Sequence, residues 1–168
     1  MKKYIKIITV LSSLLLIISC GAYSFTGGNT GDAKTIQVNY FPNQAPLVEP
    51  SLSNRFTQAL QDLFVQQTNL ELSQRNADLI FEGEITDYRV NPMSATAQQT
   101  AAQNRLTVSV NVRFTNRLIE EDNFEKQFSF YSDFPANSQL TGGVLDGALD
   151  EILERVIQDI FNASLGNW

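Results

Sequence analysis

Residues 105–118 read Arg-Leu-Thr-Val-Ser-Val-Asn-Val-Arg-Phe-Thr-Asn-Arg-Leu, with apolar and polar residues in strict alternation as far as Phe114. A period of two belongs to a strand. Leu106, Val108, Val110, Val112 and Phe114 then share one side, and Arg105, Thr107, Ser109, Asn111, Arg113, Thr115 and Arg117 the other, whereas a helix would scatter both sets around its axis. A long strand with one apolar and one polar face is half-buried, as in an antiparallel sheet covered on one side. The rest of the chain must therefore supply neighbouring strands and an apolar layer to cover that face.

The neighbours are recognisable by the same period. Residues 78–90 begin with Leu79, Phe81 and Ile85 on one face and Glu82, Glu84 and Thr86 on the other, and Gly83 marks a bulge or a close approach. After a turn at Glu120-Glu121-Asp122, Phe124, Phe128 and Phe130 alternate with Glu125, Gln127, Ser129 and Tyr131. Three consecutive strands of this kind form a meander. Earlier, residues 35–40 alternate with Ile36, Val38 and Tyr40 inward, before Pro42 and Pro46. Between the second and third strands, residues 91–104 are too long for a tight turn and poor in apolar anchors, so they read as a mobile loop or an extension of the hairpin.

Two segments carry the helical period. Leu52, Phe56, Ala59, Leu60, Leu63 and Phe64 form one stripe after Ser51 or Ser53, ending near Gln67; Val144, Leu145, Ala148, Leu149, Ile152, Leu153, Val156, Ile157, Ile160 and Phe161 form a broader one after Gly142-Gly143. Each stripe needs an apolar surface to bury against. The expected fold is α+β, a two-layer sandwich of a mostly antiparallel four-stranded sheet with two helices on one face, in the order β-α-β-β-β-α. At about 1.5–3 kcal/mol per fully buried large apolar side chain, such a core offsets ordering entropy without disulfides.

The first 19 residues are of another kind. Met1-Lys2-Lys3-Tyr4-Ile5-Lys6 is basic, the run from Ile7 to Ile18 is apolar but for Thr9 and Ser12-Ser13, and it ends at Cys20, the single cysteine of the 168 residues. That is the layout of a secretory signal, and the run is shorter than the roughly 20 residues that span a bilayer. Ile17-Ile18-Ser19-Cys20 resembles the bacterial lipobox, which implies cleavage before Cys20, a diacylglyceryl group on its thiol and an acylated new amino terminus. The expected organisation is a lipoprotein signal peptide over 1–19, a lipid-anchored cysteine and flexible tether over 20–34, and one domain over 35–168. Two or more lipid signals make a stable membrane anchor.

The chain has 12 Lys and Arg against 18 Asp and Glu, and removal of Lys2, Lys3 and Lys6 leaves 9 against 18, a formal charge near −9. So acidic a domain is a poor non-specific nucleic-acid binder. With no histidine and one cysteine, the usual zinc, haem and Cys/His signatures are missing and a Ser-His-Asp triad is excluded, so no cofactor is expected beyond the lipid on Cys20. Glu82 and Glu84 share a strand face, but nothing marks the burial that would separate their pKa values for acid/base work. The glycines at 27–31 lack the Gly-Lys-Ser/Thr ending of a phosphate loop. Arg105, Arg113 and Arg117 share the polar face of their strand, with Lys126 and Arg89 as possible neighbours. Clustered, they would take a phosphate or carboxylate; the alternative is pairing with Glu82, Glu84 or Glu125 across strands. Trp168 is either an interfacial anchor or packed on the domain.

A resemblance spans the whole chain. Cys20-Gly21-Ala22-Tyr23-Ser24-Phe25-Thr26-Gly27, the strand ending Asn39-Tyr40-Phe41-Pro42-Asn43, Ala77-Asp78-Leu79 with Gly83-Glu84-Ile85-Thr86-Asp87-Tyr88, Asn104-Arg105-Leu106-Thr107-Val108 and Ile160-Phe161-Asn162, in that order and spacing, look like the LptE family of lipopolysaccharide-assembly lipoproteins in the form found in Bacteroidetes. The resemblance implies a non-enzymatic outer-membrane lipoprotein that sits inside the lumen of the large β-barrel LptD, helps it assemble and assists delivery of lipopolysaccharide to the cell surface. It also implies basic residues that contact lipopolysaccharide, for which Arg105, Arg113 and Arg117 are the candidates by strand patterning. The competing class is a periplasm-facing lipoprotein that activates a cell-wall synthase or serves a secretion channel. A lipid-tethered hydrolase is a third, weakened by the lack of catalytic groups.

Overall fold

In the computed structural model, which describes residues 28–93 and 102–166, the alternating segment is the longest-paired strand of a five-stranded sheet. The elements are β1 (Thr35–Val38), α1 (Leu52–Gln67), β2 (Glu71–Leu72), β3 (Leu79–Met93), β4 (Gln103–Asn116), β5 (Phe124–Pro135) and α2 (Gly142–Leu165), with a 3₁₀ turn at Glu120–Asp122. The strand order is β2-β1-β3-β4-β5. β3, β4 and β5 form the antiparallel meander, and β1 lies parallel to both β2 and β3.

The α+β class stands, and the sheet differs from the four-stranded expectation by β2. Its two residues are both exposed and carry no period; they join the sheet through Glu71 N–H to Lys34 C=O at 2.9 Å and Ser73 N–H to Ile36 C=O at 2.8 Å.

One face of the sheet and both helical stripes close a single core. Leu106, Val108, Val110, Val112 and Phe114 of β4 are buried, as are Leu52, Phe56, Leu60 and Phe64 of α1 and Ala148, Leu149, Ile152, Leu153, Val156, Ile157, Ile160, Phe161 and Leu165 of α2. Aromatic rings thread this core from layer to layer: Phe161 to Phe64 (5.4 Å), Phe64 to Phe81 (4.6 Å), Phe81 to Phe114 (4.7 Å) and Phe114 to Phe124 (5.4 Å between centroids).

Tyr40, expected inward, is 58% exposed, and Phe41 takes its place at 0%. Val38 pairs with Phe81 and Asn43 with Ile85, so five steps on this side match four on β3, and the extra residue turns the alternation over. Phe41 then packs edge-on against Phe56 at 4.9 Å. It also lies against Gly83, where an added Cβ would stand 2.8 Å from the Phe41 ring and 2.0 Å from the Asn111 carbonyl oxygen. Gly83 is thus a close approach, and the register shift in β3 falls beyond it, between Ile85 and Asp87.

The 91–104 segment is partly hairpin. Asn91, Pro92 and Met93 pair with Arg105, Asn104 and Gln103, extending both strands into it, and residues 94–101 lie outside the described residues. β5 likewise runs past Tyr131 to Pro135, with Ser132 and Phe134 continuing the inward positions.

The tether expected over 20–34 ends sooner than its glycines suggest. Asn29 N–H bonds Leu165 C=O at 2.8 Å, Ala33 is buried, and a Cβ on Gly28 would stand 2.8 Å from Phe161 and 2.9 Å from Leu165. The small side chains that suggest flexibility here let the chain lie close against the end of α2. The leader, Cys20 and Trp168 fall outside the described residues.

Candidate functional site

Because one sheet face is buried, the side chains available to a partner from the strands stand on the other, and strand register decides which of them meet. Glu82 lies opposite Arg113 and Arg113 opposite Glu125, so the guanidinium of β4 sits between carboxylates of β3 and β5. Arg113 Nη1–H donates to Glu82 Oε1 at 2.9 Å and Nε–H to Glu125 Oε2 at 3.3 Å. Asn111 Nδ2–H adds a bond to Glu125 Oε1 at 2.9 Å. That amide first and Arg113 second hold the Glu125 carboxyl below the usual carboxylate range, and the two glutamates hold Arg113 charged.

Arg105 lies opposite Asp133 and grips it with both prongs, Nε–H to Oδ1 at 2.7 Å and Nη2–H to Oδ2 at 2.8 Å. Its guanidinium stacks on Tyr131 at 3.5 Å from the ring centroid. This bidentate pair lowers the Asp133 pKa and raises that of Arg105.

Register does not bring the three candidate arginines together. Eight residues separate Arg105 from Arg113, about 26 Å along a strand at about 3.3 Å per residue. Arg117 lies beyond the end of β4, exposed, its N–H bonded to Asp78 C=O at 2.9 Å, with no carboxylate partner among the described residues. Arg89 pairs with Asp87, and Lys126 falls on the inward-facing side of β5 over Phe128. The cross-strand pairing that Glu82 and Glu125 offered in the sequence is what occupies Arg113. Asp133 and Tyr131 were the less visible partners, because Asp133 lay past the strand end read from the sequence.

Between these pairs the polar face is laced by neutral side chains. Ser109 Oγ–H donates to Ser129 Oγ at 2.9 Å, Gln127 Nε2–H to Thr86 Oγ1 at 3.0 Å, and Thr86 Oγ1–H to Ser109 C=O at 3.3 Å. An open hollow of about 410 Å³ is walled by Asn39, Tyr40, Glu82, Glu84, Asn111, Arg113 and Glu125. Glu84 stands in solvent and Glu82 is ion-paired, so the two carboxylates do not form an acid/base couple. The face is a polar surface whose side chains largely satisfy one another.

Residues 33–164 match the family model of LptE, lipopolysaccharide assembly. The chain belongs to the LptE family. Solved structures repeat the LptE-like fold seen here: a minor lipoprotein from Acinetobacter baumannii superposes with a TM-score of 0.52 at 9% identity, covering 77% of this chain and 91% of that one. A hypothetical protein from Chlamydia trachomatis gives 0.54 at 9% identity, covering 80% and 99%. No curated protein sequence matches the chain. No helix among the described residues is long and apolar enough to cross a membrane.

Proposed function

We propose that this LptE-family chain is a non-enzymatic lipoprotein of the outer membrane, anchored through lipid on Cys20, whose domain lodges in the lumen of an LptD-type β-barrel, helps that barrel assemble and assists delivery of lipopolysaccharide. Family membership supports a role in lipopolysaccharide assembly. The observation that carries the finer reading is the division of the domain: one sheet face and both helices close a core from this chain alone, and the other face is polar and hydrogen-bonded to itself. A plug for a water-filled, polar barrel interior requires both properties.

Arg105, Arg113 and Arg117 are the proposed contacts to lipopolysaccharide or to the barrel. Arg117, with no carboxylate partner among the described residues, is the one that meets an anionic group without first releasing a carboxylate.

The test is purification of the tagged chain from its native outer membrane in gentle detergent, with mass spectrometry of what stays bound. A stoichiometric large β-barrel is the expected result. A cell-wall synthase or secretion channel in its place, or no companion, overturns the barrel role.

A further inference from the structure

The turn from β4 to β5 is apolar at its tip. Leu118 and Ile119 are adjacent there, 50% and 48% exposed, where turns ordinarily carry polar residues. Their display is built in. The Leu118 and Ile119 N–H groups both donate to Asn116 Oδ1, at 2.9 and 3.1 Å. Asn116 is itself buried, its own N–H donating to Asn123 Oδ1 at 2.6 Å and its Nδ2–H to Asp122 Oδ2 at 3.0 Å. One buried side chain thus ties both limbs of the turn and fixes the two aliphatic residues at its surface.

The same end of the domain receives the chain from Cys20. Arg117 N–H donates to Asp78 C=O, and the Asp78 carboxylate accepts from the Lys34 and Thr35 N–H groups, which joins the turn to the start of β1. β1 and β4 stand two strand spacings apart, about 10 Å. Just before β1, Asn29 is bonded to Leu165 at the end of α2. Gly28 comes eight residues after Cys20, a stretch that spans at most about 26–29 Å. With lipid on Cys20, this end of the domain is held within that distance of the bilayer.

We propose that Leu118 and Ile119 insert into the headgroup layer of the membrane that holds the lipid anchor. Two projecting aliphatic side chains fall far short of the roughly 800 Å² per partner of a stable protein interface, whereas a fluid surface demands no matching shape. Apolar side chains are favoured at the boundary between headgroups and acyl chains. The contact is weak alone, but the tether makes it intramolecular and keeps its effective concentration high. Charge selects the lipid class. Arg117 stands against Glu120, Glu121 and Asp122, one cation against three carboxylates, so the turn suits zwitterionic headgroups and gains nothing from anionic ones.

The inference rests on the lipid-anchor reading and leaves the lumen reading intact. Lipid lies outside a barrel wall, so the end of the domain that the tether holds stays at the barrel mouth, level with the leaflet. The test uses the full lipidated chain in vesicles of phosphatidylethanolamine and phosphatidylcholine, with flotation to establish anchoring. Ile119→Cys supplies a free thiol for a nitrobenzoxadiazole fluorophore, and Gln139→Cys, three residues before α2 and at the opposite end of that helix, is the control. The label at 119 should shift its emission to the blue and be quenched by doxyl lipid, and the label at 139 should do neither. Leu118→Asp should abolish the shift at unchanged circular dichroism, and added phosphatidylglycerol should not strengthen it. A chain that does not float overturns the anchor reading and this proposal with it. In an anchored chain, a label at 119 that stays in water, two labels that respond alike, a shift indifferent to Leu118→Asp or one strengthened by phosphatidylglycerol overturns the proposal alone. So does a label at 119 that is solvated on vesicles and buried in the complex purified with a companion protein, which would assign the turn to a protein contact.

Discussion

Thr35 and Asp78 bond each other reciprocally: the Thr35 hydroxyl and N–H donate to Asp78 Oδ2 at 2.9 and 3.0 Å, and Asp78 N–H donates back to Thr35 Oγ1 at 2.9 Å. The Lys34 N–H adds a third donor to the same carboxylate oxygen at 2.9 Å. This clasp joins the starts of β1 and β3, 43 residues apart, where a parallel pair has no turn to hold it in register.

The clasp predicts an acid-sensitive fold. The Lys34 N–H first, then the Thr35 hydroxyl and N–H, lower the Asp78 pKa below 3.8. A carboxyl depressed by folding adds stability above its unfolded pKa and loses it as pH falls through the folded value. Asp78→Asn should therefore lower Tm at pH 7, with the gap to wild type closing below pH 3.8. Calorimetry across that range checks it; a gap independent of pH would contradict the assignment.

Gly83→Ala should be among the most disruptive single changes. Its Cβ would stand 2.0 Å from the Asn111 backbone oxygen, which no rotamer change relieves, so β3 and β4 must part where Phe41 also packs. A loss of about 3 kcal/mol or more is expected in urea unfolding, beyond the usual range for overpacking.

Phe81→Ala should cost about 3–5 kcal/mol. The residue is fully buried and its ring contacts both Phe64 of α1 and Phe114 of β4, so its loss opens a cavity where helix and sheet layers meet. Denaturant titration with an unchanged m-value would identify the effect as lost packing.

Arg113→Ala separates charge from fold. It should raise the Glu125 pKa yet leave it below the ordinary value, because the Asn111 amide still donates to that carboxylate. Tm should change little, since exposed ion pairs contribute weakly. Carboxyl NMR titration of the variant reads the pKa directly.

Alanine at Arg105, Arg113 and Arg117 together should weaken capture of the proposed barrel or of lipopolysaccharide without unfolding the domain, and Arg117→Ala alone should carry much of the loss. Unchanged capture by the triple variant would remove these residues from the contact. Cys20→Ser should move the chain from the membrane fraction to the soluble one at unchanged Tm.

Most of what local period implied about side-chain direction is realised in the fold. The alternation of 105–114 required a half-buried strand, and the stripes from Leu52 to Phe64 and from Val144 to Phe161 required helices covering it; all three elements form, because side-chain direction in an element follows from its own geometry, although Val144, in the first turn of the second helix, is 37% exposed. The arginine face was legible to the same depth: Arg105, Arg113 and Arg117 as outward residues, with Glu82 and Glu125 as possible mates. Tertiary structure decided the rest. β2 exists because Lys34 and Ile36 offer carbonyl groups to it, and Tyr40 gave way to Phe41 because Asn43 rejoined β3 one residue late. The grip of Arg105 on Asp133 and the clasp of Thr35 on Asp78 depend on which residues stand opposite across strands. Pairing register is a property of two segments brought together by folding, so no period within either one could state it.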